Sequence, residues 1–226
     1  MNVRTLSGRE KNDIPTSADR AYEIIFEKIL SGEIAPGEKL SIRTMARLTG
    51  VSMIPVIEAL HRLEFEGLVE SFPRWGSRVV SLTPETVRDR NMLREAVECQ
   101  VVRLLAETGL TKEQEHRLRF MAAELDATPR TDERNSPFWK LHYDFHMQMA
   151  EYTGCESLIR ALHNVNLFHL LQRIVLLKPN LHAKVLGDLH QNILNAIIEK
   201  DPDRAEKAMR DHIRVSVLTQ KKGENT

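Results

Sequence analysis

Cysteine is scarce in this chain. Cys99 and Cys155 are its only two, and they make neither a CxxC pair nor a disulfide framework. That excludes a small disulfide-stapled fold and suits a reducing compartment. No apolar run approaches the ~18 residues that a membrane helix needs. The opening stretch, MNVRTLSGREKNDIPTSAD, is polar and lacks the apolar core of a secretory leader, so a cytoplasmic protein is expected. Net charge is also missing: 32 Lys and Arg balance 32 Asp and Glu. Neutrality leaves nucleic acid open, because binding depends on local patches rather than totals. The sequence carries no P-loop, no GxGxxG fingerprint and no nucleophile–base constellation.

What is present is mostly helical periodicity. At 226 residues, the chain is long enough for one large domain or two small ones. Residues 1–15 read as a disordered arm. Ser17 precedes a helix in which Tyr22, Ile25, Phe26, Ile29 and Leu30 keep the 3,4 spacing, and Gly32 ends it. APGEKL reads as a turn. Ser41 caps a short helix closed by Gly50, and Ser52 caps a longer one, MIPVIEALHRLEFEG, with Pro55 in its first turn. Two β-rich pieces, LVES and SRVVSL, flank the turn FPRWG.

From Thr83-Pro84 onward there is no β signal and no internal repeat. Helices are expected near 84–108, 112–127, 137–153, 156–177, 181–199 and 202–220. Thr111 with Gln114 makes a capping box, and Ser136-Pro137 and Asp201-Pro202 are cap-plus-proline starts. The expected class is mainly α: a winged helix-turn-helix over 16–82, then an all-helical bundle over 83–226.

Helix, short helix, tight TGVS turn, longer helix, hairpin is the order of a winged helix-turn-helix, whose third helix enters the DNA major groove. The segments AYEIIFEKILSGEIAPGEKL, MARLTGVSMIPVIEALHRLEFEGLVE and RWGSRVV resemble the DNA-binding domain of the GntR family of bacterial transcription regulators. The shared markers include Gly32, Pro36-Gly37, GVS, Pro55 and the wing glycine Gly76. The resemblance implies a double-stranded DNA operator. Family members usually carry arginine where this chain has Met53 and Ile57, and threonine where it has Ile54. Arginine can grip a guanine edge with two hydrogen bonds; methionine and isoleucine can only touch thymine methyls. The remaining candidates for DNA contact are Arg43, Arg47, Ser52, His61, Arg62, Arg74 and Arg78. Over residues 1–82, eleven basic side chains meet eleven acidic ones, which is not the make-up of a strong nonspecific DNA binder.

In LHYDFHM, His142 and His146 lie one helical turn apart, on one face. Such a pair can be a metal clamp, a buried hydrogen-bonding pair or neither. His190 and His212 lie on consecutive expected helices, each about eleven residues from the EKDPD turn, which sets them at similar heights on an antiparallel pair. Four imidazoles can then converge within a bundle, where such folds build metal sites. His61, His116, His163, His169 and His182 are read as structural or exposed.

The rear region also resembles a family domain, the FCD type of one GntR subfamily, through LREAVECQVVRLLAE, FHMQMAEYTGCESL and LHQNILNAIIEKDPDRAEKAMRDHI. That resemblance implies a divalent metal held by an Asp-x3-His pair and two later histidines. By position these are His142, where aspartate is usual, with His146, His190 and His212. An all-nitrogen set suits zinc, nickel or copper, with zinc or nickel expected. It further implies a homodimer on a pseudo-palindromic operator and a small carboxylate effector. Arg94 would hold that effector, with Arg173 a second candidate; the alternative for Arg94 is a salt bridge with Glu98. Asp144 faces elsewhere, and Cys155 reads as a small buried residue. Two other readings stay open: a sensor whose effector is the metal itself, and a bundle metalloenzyme. Four histidines would leave the latter no open position on a tetrahedral ion.

Overall fold

A computed structural model of the chain describes residues 15–73, 76–128, 137–176 and 189–221, without the side chains of 167, 169–176 and 215–221. The expected arm over 1–15, Arg74, Trp75, Ser136 and His182 therefore lie outside the described residues, apart from Pro15 at the arm's end. The chain forms two compact units that divide between Val87 and Arg88, with Leu167–Leu176 grouped with the first.

The first unit opens with α1 (Ser17–Leu30), whose N-cap is Thr16 rather than the expected Ser17. The Thr16 hydroxyl accepts from the Asp19 backbone while Asp19 reaches back to the Thr16 N–H, a reciprocal pair that Ser17 has no partner to make. The stripe Ala21, Tyr22, Ile25, Phe26, Ile29 and Leu30 is buried, and α1 packs on α3 (Met53–Phe65). Each large apolar side chain taken from water stabilises by about 1.5–3 kcal/mol, so this stripe is the main tie within the unit. α2 (Ile42–Thr49) precedes α3 and ends at Gly50, whose φ of +70° is the left-handed C-cap that makes the turn tight. Ser41 and Ser52 stand at the N-cap positions of α2 and α3 without a side-chain cap hydrogen bond.

The hairpin forms from β2 (Val69–Phe72) and β3 (Gly76–Val79), paired Val69 with Val79 through Phe72 with Gly76. A third strand, β1 (Lys39–Leu40), lies inside the segment read as a turn and pairs antiparallel with β3, giving the order β1-β3-β2. Backbone bonds Gly37 N–H to Val79 O and Val79 N–H to Glu38 O, both 3.0 Å, extend the pairing, and Leu40 is buried. Two residues are too few for an alternating pattern to show in sequence.

The rest of the described chain is helical: α4 (Pro84–Thr108), α5 (Lys112–Ala127), α6 (Pro137–Tyr152), α7 (Glu156–Leu176), α8 (Leu189–Ile198) and α9 (Pro202–Lys221). The expected starts at 84, 112, 137, 156 and 202 hold, and Thr111 with Gln114 forms its capping box. Helix α8 begins at Leu189 among the described residues, against an expected 181. In the second unit α5 packs on α6 and α8, and α8 on α9. Their shared core includes Leu118, Ala122, Leu125, Phe145, Ile193, Leu194, Ile197, Ala205 and Met209, all nearly inaccessible. Among the described residues no helix is long and apolar enough to cross a membrane.

Candidate functional site

In the first unit, Val56, Ala59, Leu60 and Leu63 anchor α3, which turns Ser52, Met53, Ile54, Ile57 and His61 to the surface. Arg43 and Arg47 are exposed on α2, one turn apart. Arg62 is placed differently. Its guanidinium lies 3.8 Å from the Tyr22 ring centroid, bonds Asp19 Oδ1 at 3.2 Å and stands 3.7 Å from Glu66 Oε1. Its charge is therefore engaged within the unit. Tyr22 Oη also donates to Glu66 Oε2 at 2.7 Å, so Arg62 belongs to a tie between α1 and the end of α3. At the hairpin, Gly76 takes φ +84°, a value open to glycine. Arg78 bonds Glu70 at 3.0 Å and lies over the Phe72 ring.

The second unit brings the four expected histidines together. His142 and His146 come from α6, His190 from the start of α8 and His212 from α9. One nitrogen from each lies within 4.8 Å of the others, and all four side chains are buried. Ring centroids are 4.4 Å apart for His142 and His146 and 4.7 Å for His190 and His212. His142 Nε2 and His212 Nε2 approach to 3.2 Å.

Two carboxylates back this cluster. Asp126 of α5 holds His190 Nδ1 at 2.5 Å and also accepts from the backbone N–H groups of His190 and Gln191. Glu98 of α4 makes ion-pair contact with His146 Nδ1, off the axis of a well-directed hydrogen bond. A carboxylate at Nδ1 fixes a ring's orientation and leaves Nε2 as the donor to an ion. His146 Nε2 is buried and has no hydrogen-bond partner among the described atoms. An imidazole nitrogen left so costs about 1–3 kcal/mol, which an ion at the centre would remove. The donor set and its backing thus fit a divalent metal, and the set could hold one.

The electrostatics agree. His142 is kept well below the ordinary imidazole range, first by burial and then by the neighbouring histidines, so it is neutral and able to ligate. Burial pushes the Glu98 carboxyl up, but the Arg94 guanidinium and then His146 outweigh it and hold it at about 2. Arg94 Nε bonds Glu98 Oε1 at 2.5 Å, with both side chains 1% exposed. Arg94 thus makes the salt bridge with Glu98 that its spacing allowed. Arg173 lies on α7, but its side chain is outside the described part.

Sequence reasoning missed Asp126 altogether and met Glu98 only as a salt-bridge partner. Glu98 does stand one turn from Arg94, a visible spacing; Asp126 is 64 residues from His190 and has no local signal. Asp144 faces away, paired with Lys140, and Cys155 is half-buried rather than buried. His163 accepts or donates a 2.6 Å bond with Tyr143 and is not among the four.

Comparison with known proteins agrees with this two-unit arrangement. Residues 17–79 match the model of the bacterial regulatory proteins of the gntR family, and residues 91–215 match that of the FCD domain. An uncharacterised HTH-type transcriptional regulator of an unstable DNA locus in Streptomyces ambofaciens is 33% identical over 85% of this chain and 80% of its own. The HTH-type transcriptional repressor RspR of Escherichia coli K12 is 28% identical over 85% and 83%. Among solved structures, E. coli McbR/YncC superposes with a TM-score of 0.72 at 16% identity, covering 94% of this chain and all of that one, a likeness of fold.

Proposed function

This chain belongs to the GntR family of DNA-binding transcription regulators and carries an FCD domain, and from that premise we propose that its operator affinity is controlled at the four-histidine cluster. The division of labour follows the two units: residues 16–82 read DNA, and residues 83–226 bind the controlling ligand and pair the subunits. His142, His146, His190 and His212 would hold a divalent transition metal, with zinc or nickel the best match to four imidazoles. The ion's positive charge would draw a small carboxylate to the cluster without that carboxylate entering the closed coordination shell. Asp126 and Glu98 orient two of the rings, and Arg94 fixes Glu98. A carboxylate arriving at Arg94 would share its guanidinium with Glu98.

The observation that carries this reading is the convergence of four buried imidazole nitrogens within 4.8 Å, two of the rings braced by carboxylates. The winged helices of a homodimer would then sit on a pseudo-palindromic operator, and ligand binding would favour one bundle arrangement over another. Regulation rather than turnover is proposed, because four protein donors complete a tetrahedral ion. The same closure favours a second reading in which the metal itself is the effector. Operator binding by the metal-stripped protein, titrated first with zinc or nickel and then with small carboxylates, separates the two. Release or capture of DNA by carboxylate only after metal loading supports the first; a full response to metal alone supports the second. No response to either contradicts control at this cluster.

A further inference from the structure

The exposed face at the start of α3 is apolar. Met53, Ile54 and Ile57 are 52%, 70% and 38% exposed, while Val56, Ala59, Leu60 and Leu63 behind them are buried. Positions 53, 54 and 57 share one face, just past the tight turn at Gly50, which is where a helix-turn-helix presents its reading side chains. The only arginine on α3, Arg62, is engaged by Asp19, Glu66 and Tyr22, and the helix has no lysine. This helix therefore has no cationic fork to offer a guanine edge. Exposed Arg43 and Arg47 on the adjoining α2 supply positive charge beside the apolar face, as a site flanked by phosphates requires. In the major groove the one apolar feature of a base edge is the thymine C5-methyl.

We propose that this regulator recognises its operator through thymine methyl groups, with Met53, Ile54 and Ile57 as the specificity-determining side chains. The inference rests on DNA binding by the first unit and not on the metal cluster. Glu58 and His61 border the same face, both exposed; the Glu58 carboxylate can accept from a cytosine amino group, which would set the neighbouring base. Water leaves the isoleucine and methionine side chains and the methyls together, so affinity depends on the methyls themselves.

The test is selection of bound duplexes from a randomised pool by the purified full-length protein, with and without added zinc. The enriched thymines are then replaced by uracil, which keeps every hydrogen-bonding edge and deletes only the methyl. The expected result is thymine at fixed positions of each half-site and a loss of about four-fold in affinity per contacted methyl replaced. Ile54→Ala and Ile57→Ala, both at exposed positions, should each weaken binding and erase discrimination at their own position. Ile57→Arg, selected afresh, should enrich guanine where thymine stood. Equal affinity for the uracil duplex, or a selected site specified by guanines alone, overturns the proposal while leaving DNA binding intact. Failure to retain any duplex in either metal state overturns it by contradicting DNA binding itself.

Discussion

Asp126 on α5 holds the Nδ1 edge of His190 on α8 at 2.5 Å and accepts from the backbone at the start of that helix, so one carboxylate sets both the ring and the helix that carries it. Acidic groups at a helix N-terminus are favourable in their own right. The arrangement explains how His190, at the first turn of α8, can have a fixed place in the cluster.

Replacing that carboxylate should loosen the ion without removing a ligand. Asp126→Asn is expected to lower zinc or nickel affinity by about 10–100-fold while leaving all four imidazoles in place. Competition against a chromophoric chelator measures it. Unchanged affinity would mean that His190 is oriented by packing alone.

Arg94 and Glu98 form a pair with 1% exposure on each side, so breaking it leaves a buried charge. Arg94→Met is expected to cost about 3–5 kcal/mol of stability, and Arg94→Met with Glu98→Gln should recover part of that loss. Urea unfolding of the metal-free variants checks both. A near-neutral Arg94→Met would show that His146 alone is partner enough for Glu98.

Much of this layout was legible in the sequence. Helix starts at Pro84, Lys112, Pro137 and Pro202 carry local signatures in proline and capping residues, and the spacing of His190 and His212 about the EKDPD turn foretold their meeting. Features made by contacts distant in sequence were not legible. Asp126 and His190 are joined only by how α5 packs on α8, and β1 exists only because β3 pairs with it. Arg62 reads as an outward residue until the Tyr22 ring is found beneath it. Thr16 outcompetes Ser17 because Asp19 lies at the position that completes a capping box.

His142 is held well below its ordinary value of 6.5, chiefly by burial. The unfolded chain therefore binds more protons than the folded metal-free one as pH falls through that value, and stability falls with it. The metal-stripped protein should melt at a lower temperature at about pH 5.5 than at about pH 7.5. An equal melting temperature would contradict a His142 kept neutral by burial.

Burial pushes the Cys99 thiol up to about 11, while Cys155 is half-buried. At neutral pH a thiol reagent should modify Cys155 and reach Cys99 only once the chain is unfolded. Mass mapping of the labelled sites decides it, and prompt labelling of Cys99 in folded protein would contradict the packing of α4.

The most direct test of the central claim is elemental analysis of the purified protein beside a His146→Ala, His190→Ala double variant, both after exposure to zinc or nickel. Four ligating imidazoles predict about one transition metal per chain in the parent and none held by the variant. Circular dichroism confirms that the variant keeps its helices. No metal in the folded parent would rule out a metal site here, leaving four buried imidazoles whose convergence serves packing alone.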